Sequence, residues 1–79
     1  MLTPRKHLDL EISVLRVSAL MLRELQRRSV VEFEKLRSYV IRRAGVDAEL
    51  SFLPALNFLF VVGKVTYHIQ NDTIEYVAR

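Results

Sequence analysis

Three segments of helical periodicity, a short turn between the second and third, and a closing pair of alternating segments predict an α+β fold of winged helix-turn-helix type. The order is three helices followed by a C-terminal β-hairpin, and 79 residues leave room for a single domain, 1–79, around one core. The first helix follows a short leader with Pro4 and runs from about Asp9 to Gln26. It places Leu10, Val14, Leu15, Val17, Met21, Leu22 and Leu25 on one broad arc. Arg16, Arg23 and Arg27 recur at spacings of seven and four, which aligns them as a stripe on the opposite side with Leu20 among them.

Ser29 and Glu32 have the spacing of a capping box, which predicts that the second helix starts there. Its inner face is Val30, Phe33, Leu36, Val40, Ile41 and Ala44, interrupted by Arg37, whose guanidinium is expected to snorkel out or meet a carboxylate. Gly45 supplies the residue most able to take the left-handed conformation that ends a helix. Ser51 can cap a third helix over Phe52 to Val62, with Pro54 in its first turn and Gly63 after its end. In the closing segments Val65, Tyr67 and Ile69 alternate with polar residues, and Asn71 and Asp72 form the turn before Thr73 to Val77. A two-residue loop pairs Ile69 with Ile74 and Tyr67 with Tyr76, and leaves His68 opposite Glu75 on the outer face.

The composition argues against catalysis. Two histidines, no cysteine and no carboxylate cluster at ligand spacing leave nothing from which to build a catalytic or metal centre, and no cofactor is expected. Neither His7 in the basic leader nor His68 on the hairpin is expected to do more than sit at the surface. Ser13 and Ser18 have no base beside them and are assigned no chemistry. The longest apolar run, around Phe58 to Val62, is far short of the roughly 20 residues that cross a bilayer. The charged N-terminal stretch lacks the apolar core of a secretory signal, so a cytoplasmic location is expected.

The third helix is the informative segment. A helix that reads DNA in the major groove needs Arg, Lys, Asn or Gln toward the bases, and Asn57 is its only such residue. If Phe52, Leu56, Leu59 and Phe60 point inward, the outer face is Pro54, Asn57, Phe58 and Val61. That face suits a protein better than a phosphate backbone, so Pro54, Asn57, Phe58 and Val61, with Leu20, are the expected partner-binding residues. The alternative is a small DNA-binding transcriptional regulator, in which Arg16, Arg23, Arg27 and Lys64 contact phosphates or an acidic partner. A homodimer that covers the apolar helix with a second copy is a third reading.

Three stretches carry a family resemblance: the leader Pro4-Arg5-Lys6-His7-Leu8, the first helix from Ser13 to Leu25, and above all Phe52-Leu53-Pro54-Ala55-Leu56-Asn57-Phe58-Leu59-Phe60-Val61-Val62-Gly63-Lys64-Val65. In these the chain resembles the small middle components of bacterial ABC three-component systems, the Lamassu-like anti-phage defence operons. The resemblance implies a non-catalytic accessory subunit. Its implied partners are an SMC-like ATPase subunit that senses DNA and an effector subunit, a nuclease being one candidate, with DNA contact made indirectly through the complex.

Overall fold

A computed structural model describes residues 5–78, with side chains from Ser13 onward. The leader through Pro4 and the side chains of His7 and Leu10 lie outside the described residues. The chain runs α1 (Arg5–Arg28), β1 (Val30–Glu32), α2 (Phe33–Ala44), one 3₁₀ turn (Val46–Ala48), α3 (Glu49–Val61), β2 (Val65–His68) and β3 (Thr73–Tyr76). The three strands form one antiparallel sheet in the order β1-β3-β2. The three helices and the hairpin stand where the periodicity puts them, and β1 is an addition.

The core draws on every element. Val17, Met21 and Leu25 from α1 meet Leu36 and Val40 from α2, Phe52, Ala55 and Leu59 from α3, and Val31, Val65 and Ile74 from the sheet. On α1 the part of the predicted arc within the described side chains, from Val14 to Leu25, holds except for Leu15, which is exposed. Ser18 is buried between α1 and α3, its hydroxyl donating back to the Val14 carbonyl at 2.7 Å. Such a bond satisfies the hydroxyl within its own helix, and the Ala55 carbonyl of α3 lies at the limit of bonding distance beyond it.

The capping box is overturned. Ser29 has φ 71° and its amide donates to the Leu25 carbonyl at 2.7 Å, so it ends α1 and does not start α2. Glu32 precedes α2 without a side-chain capping bond. Between them Val30–Glu32 pairs with β3, with Val31 opposite Ile74. Two adjacent β-branched residues favour extended backbone, and pairing buries Val31 while leaving Val30 exposed. The Phe33 amide then donates to the Asp72 carbonyl at 2.9 Å, which gives one of α2's first amides a partner across the sheet.

Gly45 ends α2 where expected, but at φ 96° and ψ 165°, outside the left-handed helical region and in one essentially confined to glycine. A Cβ there would meet nothing within 4 Å, so only backbone strain opposes substitution. Gly45→Ala is therefore expected to cost about 1–3 kcal/mol, read as a lower urea midpoint with an unchanged slope. The 3₁₀ turn feeds directly into α3, which begins at Glu49, earlier than the sequence suggests. Ser51 is accordingly a buried residue of the first turn and not its cap. Pro54 falls in the second turn, where its missing N–H leaves the Leu50 carbonyl without a helical donor. Gly63, at φ 79°, closes α3: its amide donates to Phe60 at 3.1 Å and that of Lys64 to Leu59 at 2.9 Å, the paired bonds of a Schellman cap.

The hairpin is shifted by two residues from the predicted register. Tyr67 faces Ile74 and Val65 faces Tyr76, and residues 69–72 form the loop. An even shift keeps every side chain on its predicted face, so the alternation could not detect it. What fixes the register is the loop. Asp72 takes φ 54°, its carboxylate accepts the Tyr67 hydroxyl, and Thr73 donates to the Asn71 side-chain oxygen at 2.8 Å. His68 and Glu75 are diagonal neighbours and still bond at 2.7 Å on the outer face. Ile69 is in the loop and exposed.

Candidate protein-docking surface

The inner face of α3 is narrower than its composition suggests. Ser51, Phe52, Ala55 and Leu59 are buried, and Leu56 lies partly under cover beside them. Small residues at 51 and 55 bring α3 close to α1, where the Ser18 hydroxyl lies 3.5 Å from the Ala55 carbonyl. On the other flank Phe52 meets Phe33 edge to face, ring centroids 5.3 Å apart. These contacts set the rotation of the helix. They also correct one expectation: Phe60 points out and is 56% exposed, because Ala55 and not Phe60 takes the place against the core.

The rest of α3 is open and apolar. Pro54, Asn57, Phe58 and Val61 are exposed, as their places on the expected outer face require, and Leu50, Leu53, Phe60 and Val62 join them. Val61 and Leu50 are the most exposed of the large apolar side chains among these, at 75% and 80%. Helical spacing places Leu50, Asn57 and Val61 near the centre of the open arc. The amide of Asn57 is therefore the one polar side-chain group inside an apolar field on the helix. The four missed residues had a signal: α3 is apolar on nearly all sides, and a helix can bury only one of them in a domain this small.

Beside this arc lies a groove of about 450 Å³ between α3 and the hairpin, lined by Phe33, Leu53, Leu56, Asn57, Phe60 and Tyr67 among others. Its lining is almost wholly carbon. Tyr67 is held at its edge by the hydroxyl bond to Asp72. Groove and helix face are continuous through Leu53, Asn57 and Phe60.

The other expected residues are placed elsewhere. Leu20 is half-buried on α1 about 200° around the helix from Ser18, and so away from α3. Arg16, Arg23 and Arg27 are exposed along that same side of α1. Lys64 is half-buried where α3 passes into β2, and its carbonyl accepts the Val77 amide at 2.8 Å. Arg37 reaches across from α2 to Glu49 at the start of α3 and to Glu34 at 3.2 Å, the carboxylate pairing expected of it.

Glu24 was not singled out by the sequence. It is almost fully buried at the end of α1, and Arg27 and Arg28 donate to it at 2.9 and 2.8 Å. Burial pushes its pKa up, but the bonds and charges of the two arginines outweigh that, and the carboxyl lies below its usual value. The depressed value means that the charged form stabilises the fold above about pH 5 and that this stabilisation is lost as pH falls through the folded-state value. Glu24→Gln should therefore be less stable than the parent at pH 7, and the difference in urea midpoint should shrink toward pH 3. Among the described residues there is no group of three or more His, Asp or Glu able to hold a metal. No described helix is long and apolar enough to cross a membrane.

A three-helix core with a three-stranded sheet whose last two strands form the wing defines a winged-helix domain. The fold is shared with a solved winged-helix chain, Cdc53(WHB), from a structure described as a dual E3 mechanism for Rub1 ligation to Cdc53. The TM-score is 0.77 at 13% identity, over 98% of this chain and 96% of that one. No curated protein matches the chain. Residues 29–77 match the family of the ABC-three component (ABC-3C) system Middle Component 8, and the chain belongs to that family. It is thus an accessory part of a multi-component system and works with partner proteins.

Proposed function

We propose that the chain is a non-catalytic, cytoplasmic subunit, one winged-helix domain over residues 1–79, that bridges an SMC-like ATPase and an effector in a Lamassu-like anti-phage defence complex. The open apolar face of α3 is the observation that carries this reading. Fully burying a Val, Leu or Phe side chain gains roughly 1.5–3 kcal/mol, and this face holds several that the isolated chain leaves in water. Apolar surface of this kind is what a partner protein covers, and the part of it around Pro54, Asn57 and Val61, with Phe58 on its flank, is the docking site. Asn57 fixes the orientation of the partner, because its amide must be hydrogen-bonded once water is excluded.

Membership of a middle-component family supports the assembly, and the residue inventory supports the absence of chemistry. Affinity purification of the tagged chain from its native operon, followed by mass spectrometry, tests the reading. Stoichiometric recovery of an SMC-like ATPase and a second protein is the expected result. Recovery of the chain alone as a dimer would replace the bridge with a self-assembling subunit.

A further inference from the structure

The charge of this chain is unevenly distributed. Arg16, Arg23, Arg27, Arg28, Arg42 and Arg43 are exposed, and they account for six of its twelve basic residues. With Glu24 as the one acidic residue among them their formal charge is +5, which leaves −2 for the remainder of a chain whose net charge is +3. The first three form the stripe along α1, and from Arg16 to Arg27 it extends roughly 16 Å. Arg27, Arg28, Arg42 and Arg43 then line one shallow cleft of about 340 Å³ between the end of α1 and the end of α2. Stripe and cleft meet at Arg27 and make one band.

The band lies on the side of α1 opposite Ser18 and hence opposite α3. Glu24 does not cancel it, since a single carboxylate is shared by Arg27 and Arg28 at 2.9 and 2.8 Å and two guanidiniums remain beyond it. Those bonds hold both arginines in place while leaving their outer surfaces open. Arg43 stacks over Tyr39 with its guanidinium carbon 5.3 Å from the ring centroid, which orders a third cation. Arg16, Arg23 and Arg42 form no ion pair with any described residue.

We propose that this band binds the phosphate backbone of duplex nucleic acid without reading its sequence. A protein interface needs an apolar centre to bury, and between the arginines of the band lie half-buried Leu20 and a tyrosine ring already stacked under an arginine, with Val30 and Ile41 set to one side in the adjoining cleft. Phosphate contacts need none, because their free energy comes from released counterions. Guanidiniums also match phosphate oxygens with two parallel donors. The face used is not that of a groove-reading winged helix: α3 stays free for protein on the far side of the domain, so one subunit can hold both at once.

Fluorescence anisotropy of the full chain with a labelled 20-base-pair duplex of arbitrary sequence, at 50 and 200 mM salt, tests this. About five phosphate contacts should make affinity fall on the order of several hundredfold between the two conditions, alike for unrelated sequences. The triple variant Arg16→Gln, Arg23→Gln, Arg42→Gln spares the Glu24 pairs, should melt like the parent, and should lower the slope of log K against log salt by about three. No binding at 50 mM salt, or a triple variant with the parental slope, would overturn the proposal. Preferential binding of poly-glutamate over the duplex would overturn it in favour of an acidic protein. None of these readouts involves α3, so they stand or fall apart from the docking face.

Discussion

Replacing Val61 with glutamate is expected to weaken assembly at least a thousandfold and to leave the isolated domain as stable as before. The side chain is 75% exposed, so folding does not change its surroundings and a surface substitution there should move stability by no more than about 0.5 kcal/mol. Docking does change them. A carboxylate carried into an apolar interface loses its water and gains no cation, which costs several kcal/mol, and about 4 kcal/mol already corresponds to three decades in affinity. Phe58→Asp should also weaken assembly from the neighbouring turn, but with a measurable loss of stability, because at 41% exposure part of its ring is already packed in the free domain. Quantitative pull-down against the co-expressed partners, with thermal melts of the free variants, checks both halves of the expectation.

Phe52→Ala should have the opposite signature, unfolding the domain and losing assembly only as a consequence. Phe52 is 1% exposed and packs edge to face on Phe33 in the middle of the core. Truncating such a ring costs about 3–5 kcal/mol, and a core this small rarely supplies more than about 3–5 kcal/mol in total. The variant is expected to lose most of its cooperative melting transition. Phe60→Ala on the same helix is the control, since Phe60 is 56% exposed and its removal should cost stability little. A large loss from Phe60→Ala would mean that α3 is rotated from the orientation described.

Those two phenylalanines show how far the sequence could be read. Periodicity located α1, α2, α3 and the wing, and glycines marked the ends of α2 and α3, because each of these is decided by local pattern and local backbone geometry. The rotation of α3 was not local. With apolar residues all round, its own sequence has no preferred inner face, and the choice was made by Ser18 on α1 and by Ala55, whose small size lets the two helices approach. The sequence reading set Phe60 inward with Phe52, Leu56 and Leu59; closeness of packing selected Ala55.

β1 was missed for a related reason. Ser29 and Glu32 fit a capping pattern, but three residues of extended chain gain a partner only if β3 is present, and β3 lies more than forty positions later. The hairpin register depended likewise on the bonds of Asn71 and Asp72 and on the Asp72 carbonyl meeting α2. Of the docking residues, Pro54, Asn57, Phe58 and Val61 were legible as outward positions, whereas Leu20 followed from its place among arginines and turned out to lie on a different face. The cleft with Glu24, Arg28, Arg42 and Arg43 could not be seen from either helix alone, since it exists only where their ends come together.

The central claim is that a partner covers the open face of α3, and side-chain footprinting by hydroxyl radicals, on the free chain and on the purified complex, tests it most directly. Leu53, Phe58 and Phe60 should be modified readily in the free chain and strongly protected in the complex, while exposed Leu15 on α1 stays reactive in both. Equal modification of Leu53, Phe58 and Phe60 in the two states would contradict the claim.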